Sequence, residues 1–250
     1  MKNIVLAAGY ATRLYPITEN FPKPLLAVGG TTILDRLISD IDAIDEVDAH
    51  LIVSNHKFLP HFEKWATESQ YIKPITIIDD GSTENENRLG AVRDLILAIE
   101  KEQLIDDDLL VIAADNVISF SLQGFVNYFK EKQTSLIMTY HETEMAALRR
   151  TGVITINQDN KVLEMQEKPE VPKSHQAVPP FYIYKKSDIK LINSCIEDGC
   201  PSDAPGNLVK SMLSKTIFHA WSMPGTRYDI GTLENYNQIR VNDQWLRVNG

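Results

Sequence analysis

Residues 4–14 read Ile4-Val5-Leu6-Ala7-Ala8-Gly9-Tyr10-Ala11-Thr12-Arg13-Leu14, and the reading of the fold turns on them. The run Ile4-Val5-Leu6-Ala7 is short, continuous and apolar, and Gly9 follows almost at once. That is the pattern of a strand buried on both faces and closed by a tight turn. Further along, Thr31-Thr32 caps a helix whose stripe Leu34, Leu37, Ile38 and Ile41 keeps helical spacing, with Asp35 in the first turn. Leu51-Ile52-Val53 and Ile75-Thr76-Ile77-Ile78 read as the next strands, with a helix over 58–69 between them. A helix over 89–100 then leads to the buried strand Leu109-Leu110-Val111-Ile112, which ends at Asp115. Strand and helix alternate four times, which predicts an α/β fold: a predominantly parallel mixed sheet flanked by helices.

After Asp115 the pattern changes. Residues 135–140, 153–156, 162–166 and 181–184 read as strands with little helix between them, and Asn157-Gln158-Asp159-Asn160 is a hairpin turn. The second half therefore adds mixed or antiparallel strands. No Gly/Ser-rich or Pro-rich linker interrupts the chain, so the expectation is a single domain over 1–250. Its nucleotide-binding half would run over 1–120 and its substrate half over 121–250.

The composition narrows the function classes. With 25 Lys+Arg against 34 Asp+Glu the formal net charge is −9, which argues against a broad basic surface for nucleic acid. It does not argue against a small anion, because a few local cations make a positive pocket in an acidic protein. Met1-Lys2-Asn3 leads into six apolar residues or glycines before Tyr10, too short for a signal peptide. No apolar stretch approaches the ~18 residues of a membrane span. Two cysteines, Cys195 and Cys200, make no disulfide framework. These features lead us to expect a cytoplasmic protein, monomer or homodimer, with no nucleic-acid or membrane partner. Trp245, Leu246 and Val248 could pack on the domain or on a partner chain.

Three segments fall beyond the carboxyl ends of strands, where α/β sheets bind ligands. In the loop after strand one, small residues let backbone N–H groups approach an anion, and Arg13 offers a fork of donors. It is neither a dinucleotide fingerprint nor a P-loop. In Pro22-Lys23-Pro24, two prolines stiffen the segment that presents the lysine. In Ala113-Ala114-Asp115-Asn116, a carboxylate closes a buried strand, a place suited to Mg2+. Each segment also has a bland reading: a tight turn, a surface lysine, a helix-capping aspartate.

Taken in order, Leu6-Ala7-Ala8-Gly9, Thr12-Arg13-Leu14, Pro16, Thr18 and Pro22-Lys23-Pro24-Leu25 resemble the signature of the sugar-1-phosphate nucleotidyltransferases. Asp115-Asn116, Gly152-Val153-Ile154, Glu167-Lys168-Pro169 and Asp229-Ile230-Gly231-Thr232 continue the resemblance from residue 4 to about residue 236. It implies a Rossmann-like, GT-A-like fold and a Mg2+-assisted reaction of a nucleoside triphosphate with a sugar 1-phosphate, giving a nucleotide sugar and pyrophosphate. It also implies site roles. Leu6, Ala7, Ala8 and Gly9 would lie under base and ribose, and Tyr10, Ala11, Thr12 and Arg13 would hold phosphates. Gly90 would touch the base. Lys23 would reach the α-phosphate, and Asp115 and Asp229 would hold the metal. Asn116, Gly152, Glu167, Lys168 and Tyr182 would bind the sugar phosphate.

The chain departs from the pattern at Ala11, where glycine is usual; if that position needs positive φ, alanine is strained there. Pro179-Pro180 before Phe181 leaves the identity of the sugar open, and the base is open too. Two other readings share these residues: a cytidylyltransferase for a small phosphorylated alcohol or phosphonate, and a non-catalytic protein that binds nucleotide sugars and regulates a partner. Glu167-Lys168-Pro169 counts against the first, and the intact set Arg13, Lys23, Asp115, Lys168 and Asp229 against the second.

Overall fold

The opening apolar run forms the expected strand, β1 (Lys2–Leu6), with Ile4 and Val5 fully buried. The computed structural model describes residues 1–241; Trp245, Leu246 and Val248 lie outside the described residues. The remaining strands are β2 (Ala27–Val28), β3 (Thr31–Thr32), β4 (Ala49–Ser54), β5 (Ile75–Asp79), β6 (Leu109–Ala113), β7 (Asn116–Ile118), β8 (Ser135–His141), β9 (Gly152–Ile156), β10 (Val162–Glu167), β11 (Gln176–Val178), β12 (Phe181–Tyr184), β13 (Phe218–Ser222) and β14 (Arg227–Asp229). The helices are α1 (Ile33–Asp42), α2 (Leu59–Glu68), α3 (Ala91–Lys101), α4 (Gln123–Lys132), α5 (Met145–Leu148), α6 (Ile189–Glu197), α7 (Pro205–Met212) and α8 (Leu233–Val241). The architecture is α/β, a mixed sheet flanked by helices, as the alternating pattern predicts.

The chain folds into two units. Unit I takes Val5–Arg88, Ala113–Gln123 and the described residues from Pro224 on; unit II takes Met1–Ile4, Leu89–Ile112 and Gly124–Met223. One crossing lies close to the expected division at residue 120. The others arise from strand pairing and packing that periodicity does not encode. Residues 109–112 join unit II because β6 pairs antiparallel with β12, Ile112 opposite Phe181. The segment after Pro224 joins unit I because Ile230 and Tyr236 bury themselves with Leu14, Val28 and Val117.

In unit I, β1 lies beside β4 and β4 beside β5. The last pair is parallel, running from His50 opposite Ile75 to Ser54 opposite Asp79. The α1 stripe read from the sequence meets this sheet, with Leu34 and Ile38 packing against Val5, Ile52 and Phe62. Burying each such side chain contributes about 1.5–3 kcal/mol. Thr32 caps α1 as its position predicts, its Oγ1 accepting the Asp35 amide at 2.9 Å. The short ribbon β7–β14 sets Asn116 opposite Asp229.

In unit II the strand order is β10-β9-β11-β8-β12-β6, antiparallel throughout, with β13 added parallel to β8. The expected hairpin turn is present: Asn157 Oδ1 accepts the amides of Asp159 and Lys161, and Asn160 takes φ 62°. The β9–β10 register it fixes brings Glu167 opposite Gly152.

Candidate active site

The loop after β1 leaves unit I's sheet with its backbone tied at both ends. The Ala7 amide donates to Val53 O at 2.8 Å, and Asn55 Nδ2 donates to Ala8 O at 3.0 Å. Tyr10 turns its ring into the core, 3% exposed, and its hydroxyl meets Ser82 Oγ at 3.2 Å. Burial holds that phenol above its ordinary value. Ser82 in turn bonds the buried Asp80, whose carboxyl is raised mainly by burial. Ala11 sits at φ 48° and ψ 43°, the left-handed region, and its carbonyl accepts from Thr18 Oγ1 at 2.8 Å and from the Leu14 amide at 2.9 Å. The sequence posed positive φ there as a question, and the structure answers that alanine carries it. A methyl group on Gly9 would meet nothing within 4 Å, so the fold itself has no need of that glycine.

This loop lines a cavity of about 420 Å3 in unit I, together with Lys23, Asn85, Arg88, Asp115 and Asp229. Lys23 opens a single helical turn, with Pro22 at φ −71° before it and Pro24 after it. Its side chain is 8% exposed, and its Nζ lies 2.9 Å from Asp115 Oδ2 and 3.8 Å from Asp229 Oδ1. The two carboxylates thus converge on one nitrogen. The Asp229 carboxyl is held above the usual carboxylate range, first by desolvation and then by the charge of Asp115; Lys23, Arg227 and Arg13 pull the other way. Asp115 is oriented from behind: Asn116 Nδ2 donates to its Oδ1 at 2.8 Å, and Arg227 donates to Asn116 Oδ1 at 2.6 Å.

Unit II carries a second cluster. Glu167 ends β10 with its side chain 16% exposed, and Lys168 Nζ lies 3.8 Å from its Oε1. Lys168 takes φ 46°, its amide donating to Thr151 O at 3.1 Å. Burial raises the Glu167 carboxyl; Lys168 lowers it and Asp203 raises it further.

The family profile of the nucleotidyl transferases matches residues 2–244. The chain belongs to the nucleotidyl transferase family. It is 34% identical to the bifunctional protein GlmU of Methanococcus aeolicus over 92% of its own length and 51% of that protein. It is 27% identical to a glucose-1-phosphate adenylyltransferase of Fervidobacterium nodosum over 94% of its length and 60% of that protein. The chain therefore spans about half to three fifths of these curated relatives. A crystal structure of a candidate glucose-1-phosphate thymidylyltransferase from Bacillus anthracis, with sucrose bound, superposes at a TM-score of 0.83 and 23% identity, covering 100% of this chain and 97% of that one. A UDP-glucose pyrophosphorylase complexed with UDP-glucose gives 0.78 and 18%, covering 96% of each chain. At such identities these two likenesses show the fold alone.

Measured against the roles that membership of the nucleotidyl transferase family implies, the structure brings Arg13, Lys23, Asp115 and Asp229 to one cavity with residues 6–14. Four further residues pack against their neighbours in the fold. Asn116 is fully buried and its amide is taken by Asp115, Ala113 O and Arg227, so it holds the Asp115 carboxylate in place. Tyr182 is 3% exposed and stacked on Tyr184 at 6.0 Å, close enough to Glu167 to feel its charge. Gly152 is packed against side chains: a Cβ there would meet Met165 Cε at 2.5 Å and Val178 Cβ at 3.3 Å. Gly90, at φ +92°, is faced by Ser202, whose carbonyl oxygen would lie 2.6 Å from an added Cβ. Asn85, which lines the cavity and accepts from Arg88 at 2.8 Å, and Arg227, which acts through Asn116 far away in sequence, were not read as site residues from the sequence.

Proposed function

We propose that the protein transfers a nucleotidyl group from a nucleoside triphosphate to a sugar 1-phosphate. A phosphate oxygen of the sugar phosphate forms a bond to the α-phosphorus, the bond from that phosphorus to the bridging oxygen breaks, and pyrophosphate leaves. The attacking group is already an anion, so no general base is required, and the protein's task is positioning and neutralising spread negative charge. The observation that carries this reading is Lys23, buried between Asp115 and Asp229 at the loop-lined cavity. In it, the backbone of Tyr10, Ala11 and Thr12 with Arg13 holds the outer phosphates, and Leu6 to Gly9 lie under base and ribose. Lys23 meets the α-phosphate. Glu167 accepts sugar hydroxyls, and Lys168 pairs with the sugar's phosphate.

Asp115 and Asp229 fit Mg2+. They approach one point, and among the described residues no third His, Cys, Asp or Glu joins them. Two carboxylates suit a small cation that keeps waters and phosphate oxygens as its other ligands. When bound there it supplies charge neutralisation along the triphosphate. The sugar-phosphate names of the relatives support the acceptor class, and the same reading places the reaction in the cytoplasm, with monomer or homodimer as the working form. No described helix is long and apolar enough to cross a membrane.

The test is pyrophosphate release with Mg2+, each common nucleoside triphosphate and a panel of sugar 1-phosphates. Turnover with one pair is expected. Lys23→Ala is expected to lose about 10²–10³ in rate, the ~3–4 kcal/mol of a preorganised charge donor. Absence of release with every pair, while Mg2+-nucleotide still raises the melting temperature, would shift the reading to a phosphorylated-alcohol acceptor or to a binding role without turnover.

A further inference from the structure

Gly206 is the second residue of α7, following Pro205. It is buried, and its φ is not among the positive ones, so its own backbone conformation is open to any residue. Glycine in a helix is less favourable than alanine. What it provides is space. A Cβ at residue 206 would overlap Oε2 of Glu167 and come to 2.5 Å from Met165 Cε and 3.3 Å from Glu167 Cδ. Every atom in that set is at the end of a flexible side chain; none is backbone. An alanine at 206 would therefore leave α7 in place and displace the Glu167 carboxyl together with the Met165 methyl.

The same carboxylate is bounded elsewhere. Its Oε2 lies 3.5 Å from where a Cβ on Gly152 would be, Lys168 Nζ is 3.8 Å from its Oε1, and Asp203 and Tyr182 stand close enough to act on its charge or feel it. Two glycines from separate elements, β9 and α7, thus leave the Glu167 carboxyl one berth. Gly152 falls within the motif read from the sequence; Gly206 falls in none.

We infer that Gly206 is a positioning residue for Glu167, setting where the carboxylate presents itself to the hydroxyls of the sugar 1-phosphate. The inference rests on the reading of Glu167 as the group that accepts those hydroxyls. It predicts that Gly206→Ala acts on the sugar phosphate and not on the nucleotide.

The experiment uses the whole protein and the nucleotide and sugar 1-phosphate pair that the wild type turns over. Gly206→Ala is expected to raise KM for the sugar phosphate about tenfold while KM for the nucleotide stays within about twofold, a split that a general loss of folded protein does not produce. Its urea midpoint is expected close to the wild type's, since alanine's gain in the helix offsets the cost of moving the Met165 methyl. In a Glu167→Ala background the same substitution is expected to change the sugar-phosphate KM less than about twofold, because the two residues act as one unit. Glu167→Asp, one methylene shorter, is expected to recover part of the loss in Gly206→Ala. Equal effects of Gly206→Ala with and without Glu167, or an unchanged sugar-phosphate KM in Gly206→Ala, would overturn the inference while leaving the transfer reaction standing. If the wild type turns over no sugar 1-phosphate, the reading of Glu167 fails first and the inference fails with it.

Discussion

Ala11 shows how a single residue can hold stored strain at a binding loop. A left-handed alanine costs about 1–2 kcal/mol, while glycine there would cost about 0.5–1 kcal/mol in extra unfolded-state freedom. Ala11→Gly is therefore expected to stabilise the protein by roughly 0.5–1 kcal/mol in urea unfolding, and an unchanged or lowered midpoint would show that the position is not strained. Asn116 acts through its neighbour. With both ends of its amide engaged, it fixes the direction of Asp115, so Asn116→Ala is expected to raise the Mg2+ concentration for half-maximal activity about 10–100-fold, the usual cost of losing a group that orients a metal ligand. Lys23, Asp115 and Asp229 were legible in the sequence because their chemistry is written in the residue type and the segments flanking them are stiff or apolar. Asn116 was legible as a site residue, but its task was not: a buried amide and an exposed one look the same in a sequence. Gly206 was not legible, since its value lies in a side chain that reaches it from another strand.

At the scale of elements, what periodicity could show it showed. The stripe of α1, its Thr32 cap, and β4, β5, β6, β8, β9, β10 and β12 all stand within a few residues of where the pattern puts them. The pattern did not give the helices α4, α6 and α7 or the strand β13, and it also missed short pieces that depend on partners: Gln176–Val178 is three residues, and it is a strand because β8 and β9 flank it. The start of α3 is a sharper case. The pattern suggests a beginning at residue 89, but Gly90 at φ +92° delays the helix to Ala91, and the amide of Val92 donates to Ser202 O at 3.0 Å. Gly90→Ala combines a disfavoured φ with a clash against backbone that cannot swing away. Its expected cost is roughly 2–4 kcal/mol, to be read from the urea midpoint; a cost below about 1 kcal/mol would mean that the 202 loop yields.

For the molecule as a whole, the pH dependence of stability follows from groups outside the cavity. His50 is fully buried, and burial holds its imidazole below the ordinary 6.5 in spite of Asp42 at 3.2 Å. Burial alone would raise Asp42, but the amides of Ile72 and Lys73 and the His50 ring bring it below 3.8. In each case the unfolded chain binds more protons than the folded one just below the ordinary value, so stability rises with pH through that window and is lost as pH falls. His219, also lowered by burial, adds to this, while His56, raised by its bond to Asp79, opposes it. The urea midpoint is expected to fall between about pH 7.5 and about pH 5.5, with a shallower slope in His50→Gln. A slope unchanged by that substitution would remove His50 from the account.

The interleaving of the two units has a consequence for how the protein is made. Unit I opens at Val5, but Ile230, Tyr236 and Asp229 belong to the segment after Pro224. On the ribosome Asp229 is joined to the chain 114 residues after Asp115. At ordinary elongation rates that is an interval on the order of ten seconds. Throughout it the face of Leu14, Val28 and Val117 has no Ile230 or Tyr236 to cover it. The nascent chain thus carries a sticky, half-built unit I while strands β8 to β13 of unit II are made, and its need for chaperone protection is greatest then.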